Sequence, residues 1–240
     1  MRGAMKLYPH EWQVLDRIPA ASGLDPDYGP VFERISRLTL EREQAVVREQ
    51  AEAPRLAARL LAQPAPRRDL LLENSRRFST WGLLHWLVTE SLETSRAEDK
   101  ETVARVALAV SLRLDATYYG ARRIEDLRAR AWVSIGQARR LAEDALGARR
   151  AFEAAYFHLL QGSGDPLERA LFLELKAALL IDGGRASAAF PLLERAATIY
   201  AQAGETGRAR RCLLAPGLPA ARAVGDGSTA GAWPIPPGGS

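Results

Sequence analysis

Few residues in this chain have the chemistry of a reacting group, and their spacing limits what they can do. The histidines His10, His85 and His158 include no pair at i, i+4 and no H-E-x-x-H, so the helical zinc arrangement is missing. His85 lies among Trp81, Leu84 and Trp86 and reads as half-buried in a helix interface. The single cysteine, Cys212, excludes an internal disulfide framework and a cysteine-based zinc site, and no histidine stands near it in sequence to activate it. There is no G-x-x-x-x-G-K-[ST] and no G-x-S-x-G, and the glycine-rich GSGD at 162–165 follows no strand pattern. Glu125-Asp126 and Glu143-Asp144 fall on helical stretches beside arginines, where i, i+3 or i, i+4 ion pairs explain them better than acid–base work. On this reading the chain has no catalytic residue, no metal and no cofactor.

Arginine is the other chemically expressive residue. Pairs recur at Arg67-Arg68, Arg76-Arg77, Arg122-Arg123, Arg139-Arg140, Arg149-Arg150 and Arg210-Arg211. They could form a phosphate-binding surface, or arginine could simply be the general surface cation. Only 3 of the 33 basic residues are lysine, and the net charge is +4 with both signs mixed along the chain. That favours the second reading. Aromatic residues do not interleave with the basic ones as a single-strand binder requires, and residues 1–60 hold no helix-turn-helix pattern.

The elements that carry these residues are helical. The 240 residues include 42 Ala, 34 Leu and 30 Arg, a composition of helix formers and enough chain for a sizeable core. No apolar run is long enough to span a membrane, and the opening MRGAMKLYPHEW has no secretory pattern, so the expected compartment is the cytoplasm. LYPHEWQVLDRI can hold a short helix before the turn-rich AASGLDPDYGP. From Val31 a helical pattern runs through Ile35, Leu38 and Leu40 to a break or kink at Ala53-Pro54. After QPAP, residues 68–96 read as one helix with Leu70, Leu71, Phe78, Trp81, Leu84 and Val88 on a stripe. Asp99 then caps a helix to about Leu114, and TYYG is a turn. Asp165 and Pro166 open a helix as N-cap and first residue, and Pro191 lies in the first turns of another.

Two stretches superimpose at an offset of 41 residues. Trp132, Gly136, Ala148, Phe152 and Ala155 correspond to Leu173, Ala177, Ala189, Leu193 and Ala196. Small residues recur where two helices must approach, and large apolar ones fill the gaps between them. That is the pattern of a stacked helix-pair repeat.

Trp132, Ile135, Gly136, Ala148, Phe152 and Ala155 resemble the tetratricopeptide repeat (TPR) pattern W-x2-L-G followed by A, F and A. Arg139 replaces its aromatic, and Leu160 its closing proline. A weaker unit upstream has Ala104, Leu108 and Ser111 in the second-helix positions. The longer period leaves a related helical-pair repeat open. With DLRARAW, GSGDP and IYAQAGE as landmarks, the chain resembles bacterial TPR-domain proteins, a likeness that implies no reaction and no particular ligand.

The resemblance implies an all-α fold, a right-handed α-solenoid of about three TPR-like helix pairs with an N-terminal helical extension. Residues 1–65 would form that extension and 66–215 the repeats, with pairs near 68–115, 121–162 and 166–203 and a capping half-helix at 205–214. Residues 216–240, rich in Gly and Pro, read as disordered. The first helices would line a concave groove, placing Arg130, Val133, Gln137, Arg140, Leu171, Glu174 and Ala178 toward it. The expected function is a non-enzymatic scaffold or adaptor that binds a protein or peptide partner of acidic character there, away from membranes. The alternative is a regulator acting with or on nucleic acid through its arginine-rich helix faces.

Overall fold

Gly29–Leu61 form a single helix, α1, that continues through Ala53-Pro54, so of the break or kink the sequence suggests the break does not occur. A proline inside a helix costs about 3 kcal/mol. Here the burial of Ala53, Leu56, Ala57 and Leu60 on the same turns offsets that cost. The computed structural model describes residues 28–215, so His10, the short helix expected near the start and the tail 216–240 lie outside the described residues. Within α1 the chain divides into two units, Met1–Ala45 and Val46–Ser240. In the first unit the described residues from Gly29 on are helical, and Val31, Phe32, Ile35, Leu38 and Leu40 remain about half exposed.

The described residues form ten α-helices and one 3-10 turn, with no strand among them. In the second unit α2 (Ala65–Asn74) begins just after Pro64. The single helix expected over 68–96 is interrupted: Ser75 ends α2, Arg76–Phe78 form the 3-10 turn, and α3 spans Trp81–Glu93. Serine and threonine side chains compete with the helix for backbone partners, and Thr80 does so by accepting the Leu83 N–H at 3.3 Å. The next helix, α4 (Ala97–Ser111), starts after Arg96. Asp99 lies inside its first turn, 3.4 Å from Arg96, and is not its cap. Lys100, 2% exposed, donates to the carbonyls of Ser91 at 2.7 Å and Leu92 at 2.8 Å, satisfying acceptors at the end of α3. TYYG is not a simple turn: Ala116–Tyr119 form the short helix α5, capped by Asp115 and ended by Gly120 at φ +89°.

Five helices follow: α6 (Ala121–Leu141), α7 (Ala145–Gln161), α8 (Pro166–Asp182), α9 (Ala186–Gln202) and α10 (Thr206–Leu213). Asp165 and Pro166 open α8 as expected, and Pro191 lies in the second turn of α9. Packing follows chain order: α3 on α4, α4 on α6, α6 on α7, α8 on α9 and α9 on α10, with α8 also touching α6 and α7. One core cluster gathers Leu60, Leu83, Leu84, Leu87 and Val110, and a second Phe152, Phe172, Leu193 and Tyr200.

The spacing of 41 recurs in the packing. Ala148, Ala155, Ala177, Ala189 and Ala196 are all 0% exposed, and Phe152 and Leu193 are each 3% exposed. A Cβ on Gly136 would stand 2.9 Å from the Phe152 ring, so glycine sets how closely α6 and α7 approach. The backbone repeats as well. The Asp144 N–H bonds to the Arg139 carbonyl at 2.9 Å, and the Arg185 N–H to Leu180 at 2.8 Å, the same chain-reversing ring one period later. Its left-handed residue is Glu143 (φ 59°) in the first turn and Gly184 (φ 71°) in the second. Glu205 bonds to Tyr200 at 2.8 Å in a third such turn, around Gly204.

Candidate partner-binding site

Helix α6 carries four arginines that the structure ties to other parts of the chain. Arg130 donates through Nε to Glu168 Oε2 of α8 at 3.0 Å and through Nη2 to its other oxygen. Arg140 Nη1 lies 2.5 Å from Asp182 at the end of α8. Arg139 reaches back to Glu101 of α4 at 3.2 Å and to the Gly147 carbonyl at 3.2 Å. Arg128 donates to Ser111 Oγ and to the Ser111 carbonyl, both at 3.0 Å. Arg128, Arg130 and Arg139 each use more than one guanidinium nitrogen and Arg140 a single one, and all four act as struts to neighbouring elements. Arg139, in the place of the aromatic of the resembled pattern, bridges two neighbours and does not fill a hydrophobic gap. The Glu125–Arg128 pair at 2.5 Å confirms the expected i, i+3 contact, and Glu125 also lies 2.6 Å from His158 Nδ1.

Electrostatics around the Arg130 strut follow from burial. Glu168 is 6% exposed, and desolvation holds its carboxyl above the ordinary glutamate range despite the guanidinium beside it. Desolvation also raises Asp126, whose carboxylate accepts the Ser163 N–H at 3.0 Å. His85 is half-buried, as its neighbours suggest, and burial together with the Arg130 charge lowers its pKa. Burial pushes the Cys212 thiol up to about 11, which keeps it protonated and inert near neutral pH.

The residues expected to face a groove therefore divide. Val133 and Leu171, 2% and 7% exposed, are core residues and offer no surface to a partner, which corrects the sequence reading. The i, i+3 count from Arg130 and the repeat register do not distinguish a groove-facing position from one covered by the next helix. Arg130 and Arg140 are engaged as described, and Glu174 accepts the Tyr200 hydroxyl at 2.8 Å. Gln137 and Ala178 are half-buried, and both Gln137 Oε1 and Arg140 Nε are buried with no hydrogen bond among the described residues.

A different concavity opens where α8 meets α7 and α9. It has a volume of about 530 Å³, within the usual range for ligand sites. Tyr156, Leu159 and Leu160 of α7, Phe172 and Leu173 of α8 and Leu192 of α9 form its apolar lining. Arg169, Lys176 and Arg195 stand around it, and Asp126 and Asp165 close the end near Gly164. Both carboxylates are held by backbone donors, Asp126 by Ser163 and Asp165 by Leu167 at 2.8 Å. The three cations make no ion pair among the described residues, and Lys176 sits 5.3 Å over the Phe172 ring. At the cavity Tyr156 and Leu160 are 45% and 66% exposed, and Phe157 on the same helix is 61% exposed. Sequence reading missed this surface because it took the α7 segment only as the second helix of a pair. Its signal was AYFHLL, a stretch apolar on more sides than one interface needs.

Compared with protein families, curated proteins and solved structures, the chain matches none of them.

Proposed function

We propose that this protein is a non-enzymatic interaction module, a TPR-like right-handed α-solenoid of about three helix pairs that holds a protein or peptide partner. The chain-order packing of α3 to α10, the buried small residues 41 apart and the matching turns at Glu143 and Gly184 support the repeat reading. The observation that carries the binding function is the open apolar concavity at α7, α8 and α9, lined in part by exposed Tyr156 and Leu160. Large apolar side chains left in water beside a cavity mark interaction surfaces. The arginine struts of α6 argue for a scaffold whose guanidinium groups hold neighbouring helices in register, and against these four arginines as nucleic-acid ligands.

The test is capture from a lysate with the wild-type chain and with Tyr156→Asp/Leu160→Asp, each with and without nuclease. A protein that survives nuclease and is lost with the double substitution supports the reading. Retention that depends on intact nucleic acid would replace it with a regulator acting on nucleic acid.

A further inference from the structure

We infer that the concavity between α7, α8 and α9 takes an extended peptide segment that combines acidic residues with aromatic or large aliphatic ones. This rests on the interaction-module reading and specifies its partner. Two features of the surface lead to it. Its floor is apolar, from Tyr156, Leu160, Phe172, Leu173 and Leu192, and its volume of about 530 Å³ accommodates a few side chains but not a folded domain. Its charge is separated by availability. Asp126 and Asp165 are occupied by the backbone donors of Ser163 and Leu167, whereas Arg169 and Arg195 are exposed and free of ion pairs among the described residues.

Arg169 and Lys176 lie two helical turns apart on α8, so they share a face, and Arg195 stands on the neighbouring α9. The cations thus come from two helices around an apolar floor. A carboxylate placed there gains charge-assisted hydrogen bonds without displacing an existing partner. A basic segment would meet three cations against two carboxylates that already hold backbone N–H groups, so charge complementarity favours the acidic one. Apolar side chains fill the floor, and carboxylates fix the register along it.

The experiment is selection from a random peptide library displayed on phage against the full chain, followed by anisotropy with the enriched peptides synthesised and labelled. The expected peptides are enriched in Asp or Glu together with Phe, Trp, Tyr or Leu. Arg169→Glu/Arg195→Glu should weaken them at least about tenfold while leaving the thermal melt unchanged, since both side chains are exposed. Peptides carrying Lys in place of each acidic residue should bind that reversed variant better than the wild type. Enriched peptides that bind both proteins equally would overturn this inference and leave the module reading standing, with its site elsewhere. Failure of any peptide to enrich over counter-selection would overturn both. Self-association in sedimentation that Tyr156→Asp/Leu160→Asp abolishes would assign the surface to a second copy and overturn the peptide.

Discussion

Arg130 of α6 and Glu168 of α8 form a two-pronged ion pair between helices of successive pairs, and Glu168 is only 6% exposed. The pair connects the two hairpins and engages the Arg130 guanidinium that sequence spacing had assigned to a partner. Removing one member of such a pair leaves an uncompensated buried charge, whereas replacing both with apolar residues is close to neutral.

Arg130→Ala should therefore destabilise the fold by about 3–5 kcal/mol near neutral pH. Glu168 already has a folded-state pKa above its unfolded value, so its contribution to stability falls as pH rises through the interval between the two. Loss of Arg130 raises the folded value further. The deficit of the variant should thus shrink as pH is lowered toward the ordinary glutamate range, where both states are protonated. Denaturant melts at a series of pH values check this, and Arg130→Met/Glu168→Leu should recover most of the loss.

Gly82→Ala should destabilise by about 2–3 kcal/mol or more, because overpacking against backbone has no easy relaxation. An added Cβ would lie 2.3 Å from the Glu49 carbonyl carbon and 2.6 Å from the Gln50 nitrogen. It would push α3 off the turn of α1 that Glu49 fastens by accepting the Gly82 N–H at 3.2 Å and the Tyr119 hydroxyl at 2.8 Å. Urea unfolding of the variant is the measurement, and an unchanged midpoint would contradict this packing.

Glu143→Gly should stabilise by about 0.5–1 kcal/mol, because glycine takes a left-handed backbone without the Cβ penalty. Glu143 is the only non-glycine residue at positive φ among the described residues, and one period later the same position is Gly184. A higher melting temperature is expected. A lower one would mean that the Glu143 side chain does more than occupy a turn.

Ala155→Arg and Ala196→Arg should each cost about 3 kcal/mol or more, since a long charged side chain would enter a fully covered helix interface unpaired. Both alanines are 0% exposed. Thermal melts of either variant that match the parent would refute equivalent packing at these two positions.

Much of the helical plan was legible because its signals are local and strong. Asp165-Pro166 announces a helix start, and the alanines at a spacing of 41 show where helices touch. The split of residues 68–96 was not legible, since Ser75, Ser79 and Thr80 stop a helix only when a side chain such as Phe78 finds a buried site nearby, and that is decided by tertiary packing. The burial of Val133 and Leu171 and the engagement of the arginines beside them were not legible for a related reason. The spacing of Arg130, Gln137 and Arg140 locates a helix face, but whether that face meets solvent depends on Glu168 and Asp182, 38 and 42 residues away. The surface around Tyr156 and Leu160 was present only as an excess of apolar residues on α7, which a core would also explain.

Amide hydrogen exchange on the full chain, alone and saturated with an enriched acidic peptide, shows whether a helix-pair scaffold binds its partner in the concavity of α7, α8 and α9. Added protection is expected at Tyr156–Leu160, Arg169–Lys176 and Leu192–Arg195, with the Arg130–Arg140 stretch of α6 unchanged. Protection confined to Arg130–Arg140, or spread evenly over every helix, would contradict it.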